Sequence, residues 1–437
     1  MKKCFSVLLI IVLVIQEPSR MRADYFSGDA YRSKQAYLYH VTEEAANYKD
    51  VESDQTFQIT FYLNGGTFSM GGPTETEYFP KDLPIVLKHP VREGYNFAGW
   101  YEDRRFLHKK DTIGEDDIGN YQLYAKWTKC IDDDYNVQMY AYQNAKASDP
   151  FSRKLKDLNY DFLEHINIPG MPSTKEADVR ENRITNTSQC PQGICLTQDF
   201  LLVSAYSSKR DALGCVHIFD RASGTYLASL GLKKYSHLGG LTFDGANVWV
   251  CHSESSTLER IPYQFIRQIA SIMPQSVVDC SGLFEEYHVT NVPSCIAYYD
   301  GKLWVATHTR FFNSRMAAYK FTENGLRQVE SCRIPDKVQG IAFDKEGRVY
   351  ISSSYGRTKS SYLKAYDSAD ALHEKPNKPA VKIEMPPCAE EIDYLDGQIY
   401  VLFESAGEKY FEGTDGKGRS ISPIEEVLVL SKSSIFQ

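Results

Sequence analysis

Several signatures are missing from this sequence, and each absence narrows what the protein can be. No Cys-x-x-Cys pair occurs, so thiolate zinc sites and thioredoxin-like redox chemistry lack support. There is no Gly-x-Ser-x-Gly nucleophile elbow and no His-Glu-x-x-His zinc helix. Positive charge is not in excess: 49 Lys and Arg face 57 Asp and Glu, a formal net charge of -8. That balance argues against a nucleic-acid partner, which needs a basic field to neutralise phosphates. No apolar run approaches the ~20 residues of a bilayer-spanning helix. The chain is instead rich in aromatics, with 30 Tyr and 22 Phe in 437 residues. That payload, with 42% hydrophobic residues, excludes disorder over most of the length and suffices for packed cores. At about 150 residues per domain the length suggests roughly three units.

Lys2 and Lys3 precede the apolar run Phe5 to Ile15. A basic stretch followed by a short hydrophobic one reads as a secretory signal. Residues 1–23 are expected to be a signal peptide cleaved after Ala23, and the protein to be exported to the cell envelope or beyond. No Cys follows the run, which leaves a lipoprotein anchor unsupported. Of the 10 cysteines, Cys4 would leave with the signal, and the odd remainder implies at least one free thiol. Cys190 and Cys195 could pair locally. The others mostly sit in apolar, strand-like runs and read as small buried hydrophobes.

Residues 24–55 are polar, Tyr-rich and aperiodic, as a linker would be. Alternating apolar residues then run from Phe57 into Asn64-Gly65-Gly66, a turn that takes positive φ easily. A second cluster is Gly94-Tyr95-Asn96-Phe97-Ala98-Gly99-Trp100-Tyr101, and a third is Leu123-Tyr124-Ala125-Lys126-Trp127. Short strands separated by turns predict a compact β-grasp-like unit over 56–129. These three pieces, in this order, resemble the internalin-B-type or Listeria–Bacteroides repeat at about 57–129. The resemblance implies a spacer or adhesion module of a bacterial exported or envelope protein, with Trp100 and Trp127 as core residues. Residues 130–155, including Asp132-Asp133-Asp134, read as a second linker. The acidic run is expected to be solvated, with a calcium site as the alternative.

Beyond this the chain repeats. CPQGICLTQDFLLVSAYS, HLGGLTFDGANVWVCHSE, VPSCIAYYDGKLWVATHT, VQGIAFDKEGRVYISSSY and CAEEIDYLDGQIYVLFES align, with Gly193, Gly240, Cys295, Gly340 and Glu391 equivalent. Four-stranded units recurring at roughly 50 residues signal a β-propeller. Five copies predict five blades over 156–437, and an all-β fold class overall. Phe162 to Pro169 would supply the outermost strand of the last blade and close the ring. Phe265, Ile266, Ile269 and Ile272 share one helical face, so Tyr263 to Met273 is expected to be helical. The pattern at about 160–437 resembles the NHL/SMP-30/YncE-like propellers. That resemblance implies the fold and, since the superfamily includes enzymes and scaffolds alike, no particular chemistry.

In a propeller the start of each inner strand and the end of each second strand rim the same funnel, a concave site of the kind ligands prefer. The starts offer Gln192, His237, Gln339, Glu390 and Glu391. The ends offer Tyr206, His252, Glu254, His308, Arg310, Tyr355, Arg357 and Glu404. Imidazoles and carboxylates around one funnel would suit acid–base work or a divalent ion. Each residue also has a plainer role. His252 and His308 are offset by one position, so one of them is expected to be a hydrogen-bonded packing residue. Glu390 and Glu391 could satisfy backbone amides, and Arg310 and Arg357 could pair with Glu254 and Glu404. The Gly-rich stretch Glu412 to Ser420 lacks phosphate-loop spacing and reads as a mobile polar loop. The leading expectation is a non-catalytic binding protein of the envelope, with a protein or glycan ligand, no cofactor and no metal. The alternative is a funnel-site enzyme: a glycoside hydrolase with paired carboxylates, or a metal-assisted lyase or hydrolase.

Overall fold

The structure, a computed structural model, describes residues 55–68, 71–92, 95–110, 112–129, 131–143, 152–163, 166–171, 189–208, 212–272 and 276–436. The expected signal peptide, nearly all of the first linker and Cys130 lie outside the described residues. The fold is mostly β.

Residues 57–129 form a four-stranded sheet in the order Glu75–Tyr78, Phe57–Tyr62, Tyr121–Lys129, Tyr95–Tyr101. Phe57–Tyr62 runs parallel to Tyr121–Lys129, and a two-stranded piece joins Ile85–Val86 to Thr112–Ile113. Asn64 and Gly65 adopt φ of 47° and 90°, the left-handed turn the Asn-Gly-Gly stretch favours. The Asn64 amide then donates to the Ala125 carbonyl at 2.7 Å, which ties the turn to the last strand. Trp100 is fully buried and its indole N–H donates to the Lys88 carbonyl at 2.9 Å, so the ring packs without an orphaned donor. Ile59, Tyr78, Leu87, Ile113 and Leu123 complete a core drawn entirely from this unit.

Five further sheets follow. The first strands are Gln189–Leu196, Leu241–Phe243, Cys295–Tyr299, Val338–Phe343 and Ala389–Leu395, each paired antiparallel to the strand after it. The turns between those two strands carry a recurring device. The Trp249 indole donates to Asp244 Oδ2 at 2.7 Å, and the Tyr350 hydroxyl to Asp344 Oδ2 at 3.0 Å. In the second and fourth sheets the turn aspartate and the aromatic of the second strand thus lock one another, whereas the Trp304 indole of the third sheet is buried without a hydrogen-bond partner among the described residues.

Glu391 joins the sheets. It is fully buried and its carboxylate accepts backbone N–H groups from three other sheets: Leu241 at 2.7 Å, Ile194 at 2.9 Å and Ile296 at 3.3 Å. Asp393, two residues on, accepts from Leu196 N at 2.7 Å. Glycines make the room. A Cβ on Gly193 would lie 2.9 Å from Glu391 Oε2, one on Gly240 2.8 Å from Cys295 Cα, and one on Gly340 2.7 Å from Glu391 Cα. The aligned Gly, Gly, Cys, Gly and Glu positions therefore meet, and the one large side chain occupies the space the others leave.

Several expectations need correction. Residues 131–143, expected within a linker, include a helix, Asp133–Met139, whose Val137 is fully buried against Leu155, Ile424 and Leu428. Asp132 caps that helix by accepting from Tyr135 N at 2.9 Å, and Asp133 is buried rather than solvated. Ser152–Lys154, also assigned to the linker, adds a parallel edge strand to the fourth sheet. The strand that completes the fifth sheet is Tyr160–Phe162, antiparallel to Leu428–Ser431. Beyond it Ile166, Ile168 and Met171 are packed as core. The helix expected after Pro262 forms, over Tyr263–Ile272. Cys190 and Cys195 are unpaired, as are the other six described cysteines, and all are buried. Both lie on one extended strand, where five residues span about 16 Å, far beyond disulfide reach.

Two outcomes test this architecture. Gly240→Ala and Gly340→Ala should each destabilise the protein by about 3 kcal/mol in denaturant unfolding, because the new methyl meets backbone at 340 and both the buried Glu391 carboxyl and backbone at 240. Residues 55–129 expressed alone should show dispersed amide NMR signals, and Trp100→Ala should collapse them. Collapsed signals from the unsubstituted fragment would mean that its core is not self-sufficient.

Candidate functional site

The first strands begin, and the second strands end, at one end of the sheet assembly. The polar side chains gathered there form a network across sheets. From the third sheet, the His308 ring bonds the Gln339 side chain and lies 3.2 Å from the Val338 carbonyl. From the fourth, the Gln339 amide donates to Glu390 Oε1 at 2.7 Å. In the fifth, Glu390 and Glu404 are hydrogen-bonded to each other. From the first, the Gln192 amide donates to Glu404 Oε2 at 2.7 Å. Tyr410 bonds Glu404 and Tyr206, and Tyr206 also bonds Cys190 and the Lys409 amine. The Tyr206 ring lies 4.6 Å from that of His237, and His237 Nδ1 is 2.9 Å from Glu254 Oε1 in the second sheet.

Burial, then the charge and hydrogen bond of Glu404, push the Glu390 carboxyl well above the usual carboxylate range. Burial and the neighbouring Glu404 likewise push the Cys190 thiol up to about 12, which leaves it protonated and unreactive. Burial alone would raise Glu254, but hydrogen bonds from the His237 side chain and backbone outweigh it and hold the carboxyl below its usual value. Desolvation lowers His308 and favours a neutral ring.

The remaining expected site residues divide. Arg310 is exposed, with its guanidinium 6.0 Å from the Tyr355 ring centre. It does not pair with Glu254. Arg357 is directed to Asp415 at 2.7 Å and to the Gly418 carbonyl, not to Glu404. Glu391 lies beneath the site in the role described above. His252 is fully buried, with Nδ1 2.8 Å from Ser236 Oγ and Nε2 2.7 Å from Glu259 Oε2. Both ring nitrogens are occupied by protein partners, and no edge faces a ligand. It is the packing member of the His252–His308 pair.

Residues 404–427, between the second and third strands of the fifth sheet, bring in groups the sequence did not single out. A short helix, Glu408–Phe411, places Lys409 and Tyr410 against Tyr206. Glu412 to Ser420, expected to be a mobile loop, is held by Arg357 and by the Ser420 N–H donating to the Tyr410 carbonyl at 2.7 Å. The signal available was length: this connection far exceeds its counterparts in the other sheets. The same rim exposes Tyr235, Val292, Phe311, Phe312 and Ile421. At the opposite end, an open depression of about 440 Å³ lies among Arg348, Gln398, Lys432 and Phe436. Lys432 is already engaged there by Asp344 and Glu346. Among the described residues no His, Cys, Asp and Glu group is disposed to hold a metal ion.

One substitution separates packing from binding. His252→Ala should cost about 3–5 kcal/mol of stability, because it strands the buried Glu259 without its partner. A variant as stable as the parent in thermal unfolding would show that this pair is not structural.

Residues 57–126 match the Listeria-Bacteroides repeat domain family. No curated protein matches the chain. Among solved structures, the chain is similar to the glutaminyl cyclase of Myxococcus xanthus at 11% identity and a TM-score of 0.38, over 65% of this chain and 100% of that one. It is also similar to the PQQ-bound aldose sugar dehydrogenase of Streptomyces coelicolor at 13% identity and a TM-score of 0.33, over 58% and 97%. BamB from Moraxella catarrhalis aligns at 12% identity and a TM-score of 0.26, over 52% and 62%. No helix among the described residues is long and apolar enough to cross a membrane. The segment 57–126 thus matches the Listeria-Bacteroides repeat, in a chain that continues into five further four- or five-stranded sheets.

Proposed function

We propose that the protein is an exported, surface-associated binding protein, and that a protein or glycan ligand docks on the rim of a five-bladed propeller. The blades are the five sheets, and Tyr160–Phe162 closes the ring by completing the last one from the N-terminal side. The repeat over 57–126 and the basic-apolar start of the chain support the export half of this reading.

The observation that carries the binding half is the network itself. Four sheets converge polar side chains on one end, from His308 through Gln339, Glu390 and Glu404 to Gln192, beneath a rim that exposes Phe311 and Phe312. Above this buried network the partly exposed His308 and Tyr355 and the exposed aromatics match the surface of a peptide or a saccharide. The glycosidase alternative fits less well. Its two carboxyl groups must stand apart, at about 5 Å or about 6.5–9.5 Å, to flank a sugar bond, whereas Glu390 and Glu404 are both buried and their carboxyls bond Gln339 and Gln192.

The test is to probe oligosaccharide and peptide arrays with the full chain, then measure the affinity of hits for variants. Tyr355→Ala and His308→Ala should weaken binding about tenfold or more, while Arg348→Ala at the opposite end should leave it unchanged. Binding that survives both rim changes and is lost on altering the small repeat would move the ligand site there.

A further inference from the structure

Residues 307–313 connect the second and third strands of the third sheet, Lys302–Ala306 and Ser314–Thr322. They present Phe311 and Phe312 at 76% and 81% exposure, the highest of any large apolar side chain among the described residues. The connection is held rather than loose. The Thr309 hydroxyl donates to the Phe312 carbonyl at 2.5 Å. Lys337 N donates to the Thr309 carbonyl at 2.7 Å, and Thr307 N to the Arg315 carbonyl at 3.2 Å. The Asn377 amide donates to Asn313 Oδ1 at 3.1 Å. Lys337 lies on the approach to the fourth sheet and Asn377 on one of its connections, so the neighbouring sheet ties the turn on both sides of the two rings. Neither ring is part of the third sheet's core. Folding thus fixes two adjacent apolar rings in water without using them, as a docking surface requires.

The charge around the rings has one sign. The Arg310 guanidinium and the Lys337 amine lie 6.0 Å and 5.9 Å from the centre of the half-buried Tyr355 ring. One phenol of the fourth sheet therefore gathers cations from two connections. Residues 306–314, 334–338 and 353–361 carry Arg310, Lys337, Arg357 and Lys359 against a single acid, Asp336. Asp336 engages Lys337 at 2.7 Å, and Arg357 engages Asp415 at 2.7 Å. Arg310 and Lys359 make no ion pair among the described residues. The sector is thus basic in a chain whose formal net charge is -8.

We infer that the sector formed by Arg310, Phe311, Phe312, Lys337 and Tyr355 docks another protein through an acidic face, one that offers apolar side chains flanked by Asp or Glu. This names the partner of the rim described above and rests on the reading that ligands use that rim. Aromatic residues and Arg are the side chains that protein interfaces concentrate and that carry most of their binding energy. The pinned backbone lowers the ordering cost of engaging the two phenyl rings. The Arg310 fork suits a carboxylate, which it can bind through two parallel hydrogen bonds.

The chemistry of the rings favours a protein over a glycan. Phenyl groups neither donate nor accept hydrogen bonds, so they leave the hydroxyls of a saccharide unmatched, whereas apolar side chains match them by burial. A bilayer is disfavoured by the setting of the cations. Arg310 and Lys337 are gathered on one ring instead of being spread over a plane, and a localised pair of charges reads a localised pair of carboxylates. Complementary charge also speeds the encounter and excludes basic partners.

The probe that tests this is a random copolymer of glutamate and tyrosine, titrated against the full chain at low and at high salt. Polyglutamate, polygalacturonate and phosphatidylglycerol vesicles are titrated in parallel. The copolymer should bind at least about tenfold more tightly than polyglutamate, and less tightly as salt rises. Phe311→Ser combined with Phe312→Ser should weaken it about tenfold or more with an unchanged thermal midpoint, since neither ring is in the core. Arg310→Gln should weaken binding at low salt and flatten the salt dependence, while Arg348→Gln, the same charge change at the opposite end, leaves both as they were. Failure of the copolymer to bind, or binding that the Phe and Arg310 changes leave intact, overturns the proposal. Tighter binding of polygalacturonate or of vesicles through these same residues also overturns it, in favour of a glycan or a membrane. Array ligands that depend on His308 but not on Phe311 and Phe312 would sink this partner and keep the rim reading. Array ligands indifferent to every rim change would sink the rim reading itself.

Discussion

One buried carboxylate organises the larger part of this chain. Glu391 reaches across the meeting point of the first strands and accepts backbone N–H groups from three sheets besides its own. Burial pushes its carboxyl well above the usual carboxylate range, and the N–H groups it accepts offset only part of that. The donors would otherwise be orphans, because a first strand lies at the edge of its sheet with no neighbouring strand on that side. The carboxylate and the strand edges thus satisfy one another. The geometry demands glycine at 193, 240 and 340, since a methyl at any of them would collide with Glu391 or with adjacent backbone.

The same convergence builds the surface above. Glu390 immediately precedes Glu391 at an irregularity in the strand's pairing, and its side chain lies with Glu404, Gln339 and Gln192 instead. The long connection 404–427 supplies the cationic and phenolic groups, Lys409 and Tyr410, that the regular strands do not provide.

Much of this was legible in the sequence because it is periodic. The Asn64-Gly65-Gly66 turn, the Trp100 core and the recurrence of Gly193, Gly240, Cys295, Gly340 and Glu391 all follow from local rules of turn chemistry and alternation. What the alignment could not show is that the odd member, Glu391, fills the space left by the glycines, because that contact joins residues up to about two hundred positions apart. The helix at 133–139 was obscured for a similar reason. Asp132, Asp133 and Asp134 look solvated in isolation, yet one caps the helix and the next is buried against the stem of a distant loop. His252 and His308 looked alike, and only the position of Glu259 on the neighbouring strand separates them.

The most direct test of the central role of Glu391 is amide exchange in Glu391→Gln. An amide side chain keeps the shape but turns an N–H donor toward strands that already present N–H groups. Peptides containing Ile194, Leu241 and Ile296, from three different sheets, should lose protection together. Loss confined to the peptide around residue 391 would contradict the account, since it would mean that the three strands do not depend on a shared acceptor.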